Sequence, residues 1–296
     1  MDAPVPSQHL PSVVVVEKET KGEGNNAADQ VPSGTTSVPP FPRTLKLEDG
    51  VYHLLGLGIR TVSFLNIQVY VGGLYVHEDD LPGLQMAVLK RVVGQQATAA
   101  TITEREDMKK MLLDGGEKGE RVWRELLLDL EHTKWRSAWR IVPTRNTDFQ
   151  HLRDGFVRGI QARTKTAPHS PASTDITSSS PDVLALTFND TSFTESLSSF
   201  RNIVGIKRSV AKKKTVILHR SAEGALSVLF DPSGRNDGVL SEETLKMGTV
   251  TDPRVSALLW LNYLAGDKVA SKEARESVVD GVVGMVKRPA GVQLGV

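Results

Sequence analysis

The stretch Val51–Val76, VYHLLGLGIRTVSFLNIQVYVGGLYV, decides how this chain is read. It is the longest run rich in Val, Ile, Leu, Tyr and Phe, and its only Asp, Glu, Lys or Arg is Arg60. Such a density of β-branched and aromatic residues favours strands, and Phe64-Leu65-Asn66 suits a short loop, so the stretch reads as a two-stranded hairpin. Gly56 and Gly58 mark a tight bend within it. With a loop of those three residues, Ser63 faces Ile67 and Arg60 lies opposite Tyr70, with both side chains on one face. A guanidinium among apolar strands is costly unless it meets an anion or several acceptors. Arg60 is therefore the first candidate functional residue.

Upstream, residues 1 to 42 are rich in Pro, Ser, Gly, Asn and Thr and end in Pro39-Pro40-Phe41-Pro42, the composition of a disordered tail. Val13 to Val16 is an isolated apolar patch in it. Downstream, Asp79-Asp80-Leu81-Pro82 opens a helix to about Gly94. Thr103-Glu104-Arg105-Glu106 has the form of a capping box for a second helix that stops at Gly115-Gly116. Val122, Leu126, Leu127 and Leu130 give a third helix over 120–131, and Lys134 to Val142, closed by Pro143, reads as a strand. Its Arg136 and Arg140 suit an ion-paired or solvated face better than a ligand.

Asp148 to Arg163 is helical, with Phe149, Leu152, Phe156 and Ile160 as its apolar stripe. Thr164 to Pro181 breaks the periodicity and reads as a flexible insertion. Ser192 and Glu195 form a capping box before another helix, and Thr215–Leu218 pairs with Ala225–Phe230 as a hairpin. Asp252-Pro253 starts a helix ending at Gly266, and a last one spans about Ser271 to Val286. There is no internal repeat. Strands at both ends with helices between them imply an α+β domain, one antiparallel sheet covered by helices, over residues 43–288, with 289–296 as a C-terminal tail.

Composition excludes several function classes. A net charge of +1 over 296 residues argues against nucleic acid as the main partner. No apolar run approaches the roughly 20 residues of a membrane span. With no cysteine, disulfides, thiol catalysis and cysteine metal sites are absent. Asp2, Glu17 and Glu19 stand where a mitochondrial presequence would be acid-poor. Gly56-x-Gly58 lacks the third glycine and the following helix of a dinucleotide loop. His53, His77 and His151 have no metal-ligand spacing, so no metal site is assigned. The basic run Lys207-Arg208, Lys212-Lys213-Lys214 and His219-Arg220 reads as a charged strand edge rather than a lipid-binding patch.

GLGIR, followed by a strand ending VYVGGLYV, resembles the N-terminal signature of the chalcone isomerase-like family. The likeness covers roughly residues 44 to 287 and implies that family's open-faced β-sandwich, a large antiparallel sheet layered with helices. The wording of residues 69 to 75 is closer to the fatty-acid-binding branch than to the flavonoid-cyclising enzymes. Fungal relatives with an extended N-terminus are generally mitochondrial, so the resemblance implies a mitochondrial protein, with the cytoplasm as the alternative.

In the cyclising enzymes the arginine binds the substrate oxyanion, while a strand threonine, a helix tyrosine, an asparagine and a C-terminal Thr or Ser hold the rest. The resemblance puts Tyr70 at the strand threonine, Phe149 at the tyrosine, Phe156 at the asparagine and Tyr263 near the Thr/Ser. Arg60 matches and the others do not. A phenyl ring cannot hold a water or donate a proton, which costs on the order of 10²-fold or more in rate, so flavonoid cyclisation is not expected. The fatty-acid-binding branch pairs its arginine with a tyrosine of the next strand, as Arg60 and Tyr70 would be. A non-catalytic binder of a hydrophobic carboxylate is the resulting expectation, with Arg60, Tyr70, Phe149, Phe156 and Tyr263 in the site. Fatty acid is the ligand that the resemblance implies. Haem also fits physically, its propionates on Arg60 and His53, His77 or His151 as axial candidates. The alternative is an isomerase or intramolecular lyase that uses Arg60 as electrophile and Tyr70 or Tyr263 as acid.

Overall fold

The structure, a computed structural model, describes residues 29–62, 67–97, 99–131, 133–166, 188, 190–205 and 209–286. In chain order the strands are β1 (Gln30–Val31), β2 (Phe41–Pro42), β3 (Thr44–Leu47), β4 (Gly50–Val62) and β5 (Ile67–His77). Helices α1 (Leu81–Val92), α2 (Ile102–Leu113) and α3 (Glu117–Leu128) follow, then β6 (Ser137–Pro143), β7 (Thr147–Asp148) and α4 (Phe149–Thr166). The remainder is α5 (Thr191–Ile203), β8 (Ser209–Val210), β9 (Thr215–Arg220), β10 (Leu226–Asp231), β11 (Leu245–Val250), α6 (Pro253–Leu264) and α7 (Lys272–Met285).

Seven strands form one antiparallel sheet in the order β11-β10-β9-β6-β5-β4-β3. The period of two sends alternate residues of β5 to opposite faces. Tyr70, Leu74 and Val76 join Trp139, Val216 and Val228 in a large core under the helices. Val71 and Tyr75 join Tyr52, Leu54, Leu57, Val142 and Ile217 in a smaller core on the other face. This is the expected α+β, helix-layered sheet.

The second face is covered by residues 29–42, which the sequence reading assigned to a disordered tail. Their Pro-rich composition hid one aromatic: Phe41 is fully buried, its ring over the Arg140 guanidinium at 4.4 Å, and Val38 is buried beside it. β1 pairs with β2, so this strap is tied to itself as well as to the sheet. The tail boundary at 42 is thus corrected; Val13–Val16, most of the 164–181 insertion and the 289–296 tail lie outside the described residues.

Gly56 and Gly58 mark no bend. They sit inside the 13-residue strand β4, and a Cβ on either would lie 2.4 Å from the Ser277 carbonyl carbon or 2.2 Å from the Ala274 nitrogen. Their missing side chains let the backbone of α7 lie against β4 beyond the short reach of β3. There α7 replaces a strand: Leu57 N–H donates to Ser277 Oγ, Ile59 N–H to Glu273 Oε2, and Ser271 Oγ–H to the Ile59 carbonyl. A sheet edge that would otherwise expose unpaired amides is closed by a helix.

Smaller differences have local causes. The capping box of α2 is Thr101 with Glu104, two residues earlier than expected, and α5 is capped by Asp190 rather than Ser192. Lys212–Lys214 precede β9, an interior strand between β6 and β10, so they guard no sheet edge. Arg136 is ion-paired with Asp80, as a solvated strand face would have it, while Arg140 is buried and donates to Asn236 Oδ1 at 2.9 Å.

Candidate functional site

The free end of the β4–β5 hairpin and the first turns of α4 enclose a cleft of about 590 Å³. Arg60 and Val62 come from β4, Val69 and Tyr70 from β5. The opposite wall begins at Arg145 and Asn146, just after β6, whose last residue Pro143 pairs with Tyr70. It continues through His151, Leu152, Gly155, Phe156 and Arg158 of α4. Spacings of three and four along α4 bring these residues onto one helical face.

Arg60 pairs with Tyr70 across the hairpin, as expected from the sequence. The turn is built differently: a register shift after Arg60 sets Val62, not Ser63, opposite Ile67, and residues 63–66 lie outside the described residues. The Arg60 guanidinium is 5.8 Å from the Tyr70 ring centre. The neighbouring phenol raises the arginine's pKa further, against the opposing effect of burial. No carboxylate among the described residues forms an ion pair with Arg60.

Tyr70 Oη and Tyr263 Oη are 2.5 Å apart, and the Tyr263 ring stacks on Trp139 with centroids 4.2 Å apart. Burial pushes Tyr70's pKa up although Arg60 pulls it down, and burial pushes Tyr263's well above its ordinary value. Both phenols are therefore neutral and can donate at neutral pH. The Trp139 indole N–H behind them is buried with no partner among the described residues.

Of the sequence-derived candidates, Arg60, Tyr70 and Phe156 line the cleft, and Tyr263 reaches it only through the Tyr70 hydroxyl. Phe149 does not line it. Its ring packs edge-on against Phe230 at 5.2 Å, because the first residue of α4 turns under β10 instead of toward the hairpin. The histidines separate too. His53 lies 3.8 Å from Glu78, and the His77 ring contacts the Asp49 carbonyl and caps the turn at Asp79, away from the cleft. Only His151 of the three lines it, with Nδ1 2.9 Å from Asp148 Oδ2. Asp148 also accepts the His151 backbone N–H, which leads the effects holding its carboxyl below the ordinary range.

Sequence reasoning missed Arg145, Arg158, Leu152 and Gly155 as cleft residues. The signal available was the His151, Gly155, Arg158 spacing, which puts small and cationic residues on one side of an otherwise apolar helix. Among the described residues, no group of three or more His, Asp or Glu could hold a metal ion, and no helix is long and apolar enough to cross a membrane.

Compared with known proteins, residues 50–279 match a family model described as chalcone isomerase like. The protein "Altered inheritance of mitochondria protein 18, mitochondrial" of Debaryomyces hansenii is 30% identical over 255 residues, covering 84% of this chain and 74% of its own. Its namesake in Eremothecium gossypii is 30% identical over 256 residues (84% and 73%), and that of Saccharomyces cerevisiae strain JAY291 28% over 282 (88% and 76%). A crystal structure of a fatty-acid binding protein of Arabidopsis thaliana superposes with a TM-score of 0.53 at 19% identity, covering 83% of this chain and 94% of that one. At that identity it speaks for the fold alone. The fungal relatives are named as mitochondrial, and the mitochondrial assignment extends to this protein. The matched region takes in the hairpin, the helices above it and the first half of α7, and the chain belongs to the chalcone isomerase-like family.

Proposed function

We propose that the protein binds a hydrophobic carboxylate of the fatty-acid type, without catalysing flavanone formation, through Arg60 and Tyr70. The observation that carries this reading is a guanidinium in the wall of an apolar-backed cleft with no acidic partner among the described residues. A carboxylate there would accept a forked pair of N–H donors, and a neutral Tyr70 hydroxyl held by Tyr263 supplies a third. Leu152, Phe156 and Val69 would take the tail. The fatty-acid binding of the plant structure with the same fold supports the choice of ligand. Phe156, which lines the cleft, offers no hydroxyl or amide to a reacting group.

The test is ligand affinity, with oleate as the probe, alongside melting temperature. Charge-assisted hydrogen bonds are worth about 1.5–3 kcal/mol, so Arg60→Ala weakens binding by about tenfold to a hundredfold. Arg60→Lys recovers part of that, because a point charge cannot reproduce the fork. Unchanged affinity in Arg60→Ala would refute the reading.

Two observations sustain rivals. The 2.5 Å Tyr70–Tyr263 pair beside Arg60 could act as an acid and oxyanion clamp for an isomerase or intramolecular lyase. Turnover of a chalcone or related enone that is abolished by Arg60→Ala would establish it. His151 keeps haem in play, with propionates on Arg60; a Soret band in the purified protein that Arg60→Ala or His151→Ala removes would favour haem over fatty acid.

A further inference from the structure

The charge of the cleft exceeds what one carboxylate can neutralise. Arg60, Arg145 and Arg158 all line it, and none of them has an ion pair with a described residue. The one acidic group in the lining, Asp148, is engaged with His151 through both oxygens. Other arginines of the chain are mostly spoken for: Arg91, Arg136 and Arg254 each meet carboxylates. Three arginines against one aspartate leave a surplus of two positive charges. A fatty acid removes one of them.

We infer, on the strength of the carboxylate-binding reading above, that the preferred ligand is a single-chain lipid with a phosphomonoester head, of the lysophosphatidate class. Such a head carries about −1.5 to −2 charges at neutral pH, which matches the surplus. Its three terminal oxygens can serve more than one guanidinium, for which the planar fork of arginine is suited. The volume of about 590 Å³ is in the range of a pocket for one small ligand, ~300–1,000 Å³, which favours one acyl chain over two. Arg145 and Arg158 are exposed at the rim, where they reach a head group while Arg60 and Tyr70 stand deeper.

The experiment compares the full-length protein with Arg145→Gln, Arg158→Gln and the double variant. Titrations use oleate, 1-oleoyl-lysophosphatidate and octadecanedioate below their micellar concentrations. Both arginines are exposed and make no hydrogen bond with described residues, so the variants fold; a melting curve verifies it. Wild type should bind lysophosphatidate about tenfold or more tighter than oleate, and the double variant should lose most of that preference. Raising the salt concentration should weaken lysophosphatidate more than oleate. Equal affinity for the two, or a preference that survives the double substitution, overturns the inference while leaving carboxylate binding in place. Octadecanedioate binding as tightly as lysophosphatidate overturns the phosphate assignment. If none of the three lipids binds, both this inference and the reading beneath it fail.

Discussion

The two ends of the β4–β5 hairpin use the same kinds of side chain to opposite effect. At the end away from the turn, closed in that its polar groups answer one another, Tyr52 pairs with His77 across the strands, and its hydroxyl lies 2.7 Å from both Asp49 Oδ2 and His219 Nε2. His77 uses both ring nitrogens, and Arg136 forks onto Asp80. Each of these groups has its partner. At the turn end, open in that a cleft lies beside it, Arg60 pairs with Tyr70, yet no described carboxylate answers the guanidinium. A polar network satisfied from within is structural, whereas one lacking a counter-charge is completed from outside. The comparison therefore divides labour: the closed end and its strap should govern stability, and the open end binding.

The largest effect that could break this division is at Phe41. It is fully buried between strap and sheet, and its ring fills the space beside Gly73, where a Cβ would come within 2.9 Å of it. Phe41→Ala should cost about 3–5 kcal/mol of stability by the usual measure of an aromatic removed from a core. Oleate affinity of the folded protein should not change. Urea denaturation and titration measure the two separately; a mild stability loss would mean that the strap rests on the sheet without holding it.

Next in size is Tyr52→Phe. It removes the hydroxyl between the half-buried His219 and the exposed Asp49, which water can reach, so the loss is that of an ordinary hydrogen bond, about 0.5–1.5 kcal/mol. The melting temperature should fall with oleate binding intact. Loss of binding would show that the two ends are coupled, and the comparison would fail.

The open end is probed with Gly155→Leu. A Cβ at Gly155 meets nothing within 4 Å, and the residue lines the cleft from the interior of α4. The added side chain should occupy ligand space and weaken binding by about tenfold or more, about 1.4 kcal/mol. Stability should hold or rise by up to about 1 kcal/mol, since glycine is a poor helix former. Undiminished affinity would place the ligand elsewhere.

These contrasts also mark what the sequence could disclose. The Arg60–Tyr70 pairing was legible because alternation along two adjacent strands specifies register within a few residues. The helices from Leu81 to Met285 were legible through periodicity and caps. The role of Gly56 and Gly58 was not, because the backbone that needs their missing side chains comes from Ala274 and Ser277, over 200 residues on. β11, LKMGTV, went unread because it is mostly exposed and carries weak alternation. Phe149 was misplaced for a related reason: an apolar stripe shows which residues leave solvent, and not whether they face a core or a cleft. The cationic rim escaped because exposed arginines on a helix look alike until a facing wall is known.

The smallest effect sharpens the closed end through pH. His219 lies between Tyr52 and Asp49, and burial, outweighing the opposing pull of Asp49, holds its pKa below the ordinary 6.5. The neutral imidazole therefore belongs to the folded state: its Nε2–H can donate to the Tyr52 oxygen while Tyr52 donates to Asp49. As pH falls below about 6.5, the unfolded chain takes up a proton at this residue before the folded one does. The contribution is present above that pH and is lost as pH drops through the lower, folded value. Melting temperature should accordingly decline between pH 7 and 5 more steeply in wild type than in His219→Gln, whose amide can still donate to Tyr52 but does not titrate. The difference between the two curves isolates His219, because every other group is common to both proteins. Parallel curves would show that His219 is solvated enough to keep its ordinary pKa. A steeper decline in the variant would reverse the sign and put the charged imidazolium, paired with Asp49, in the folded state.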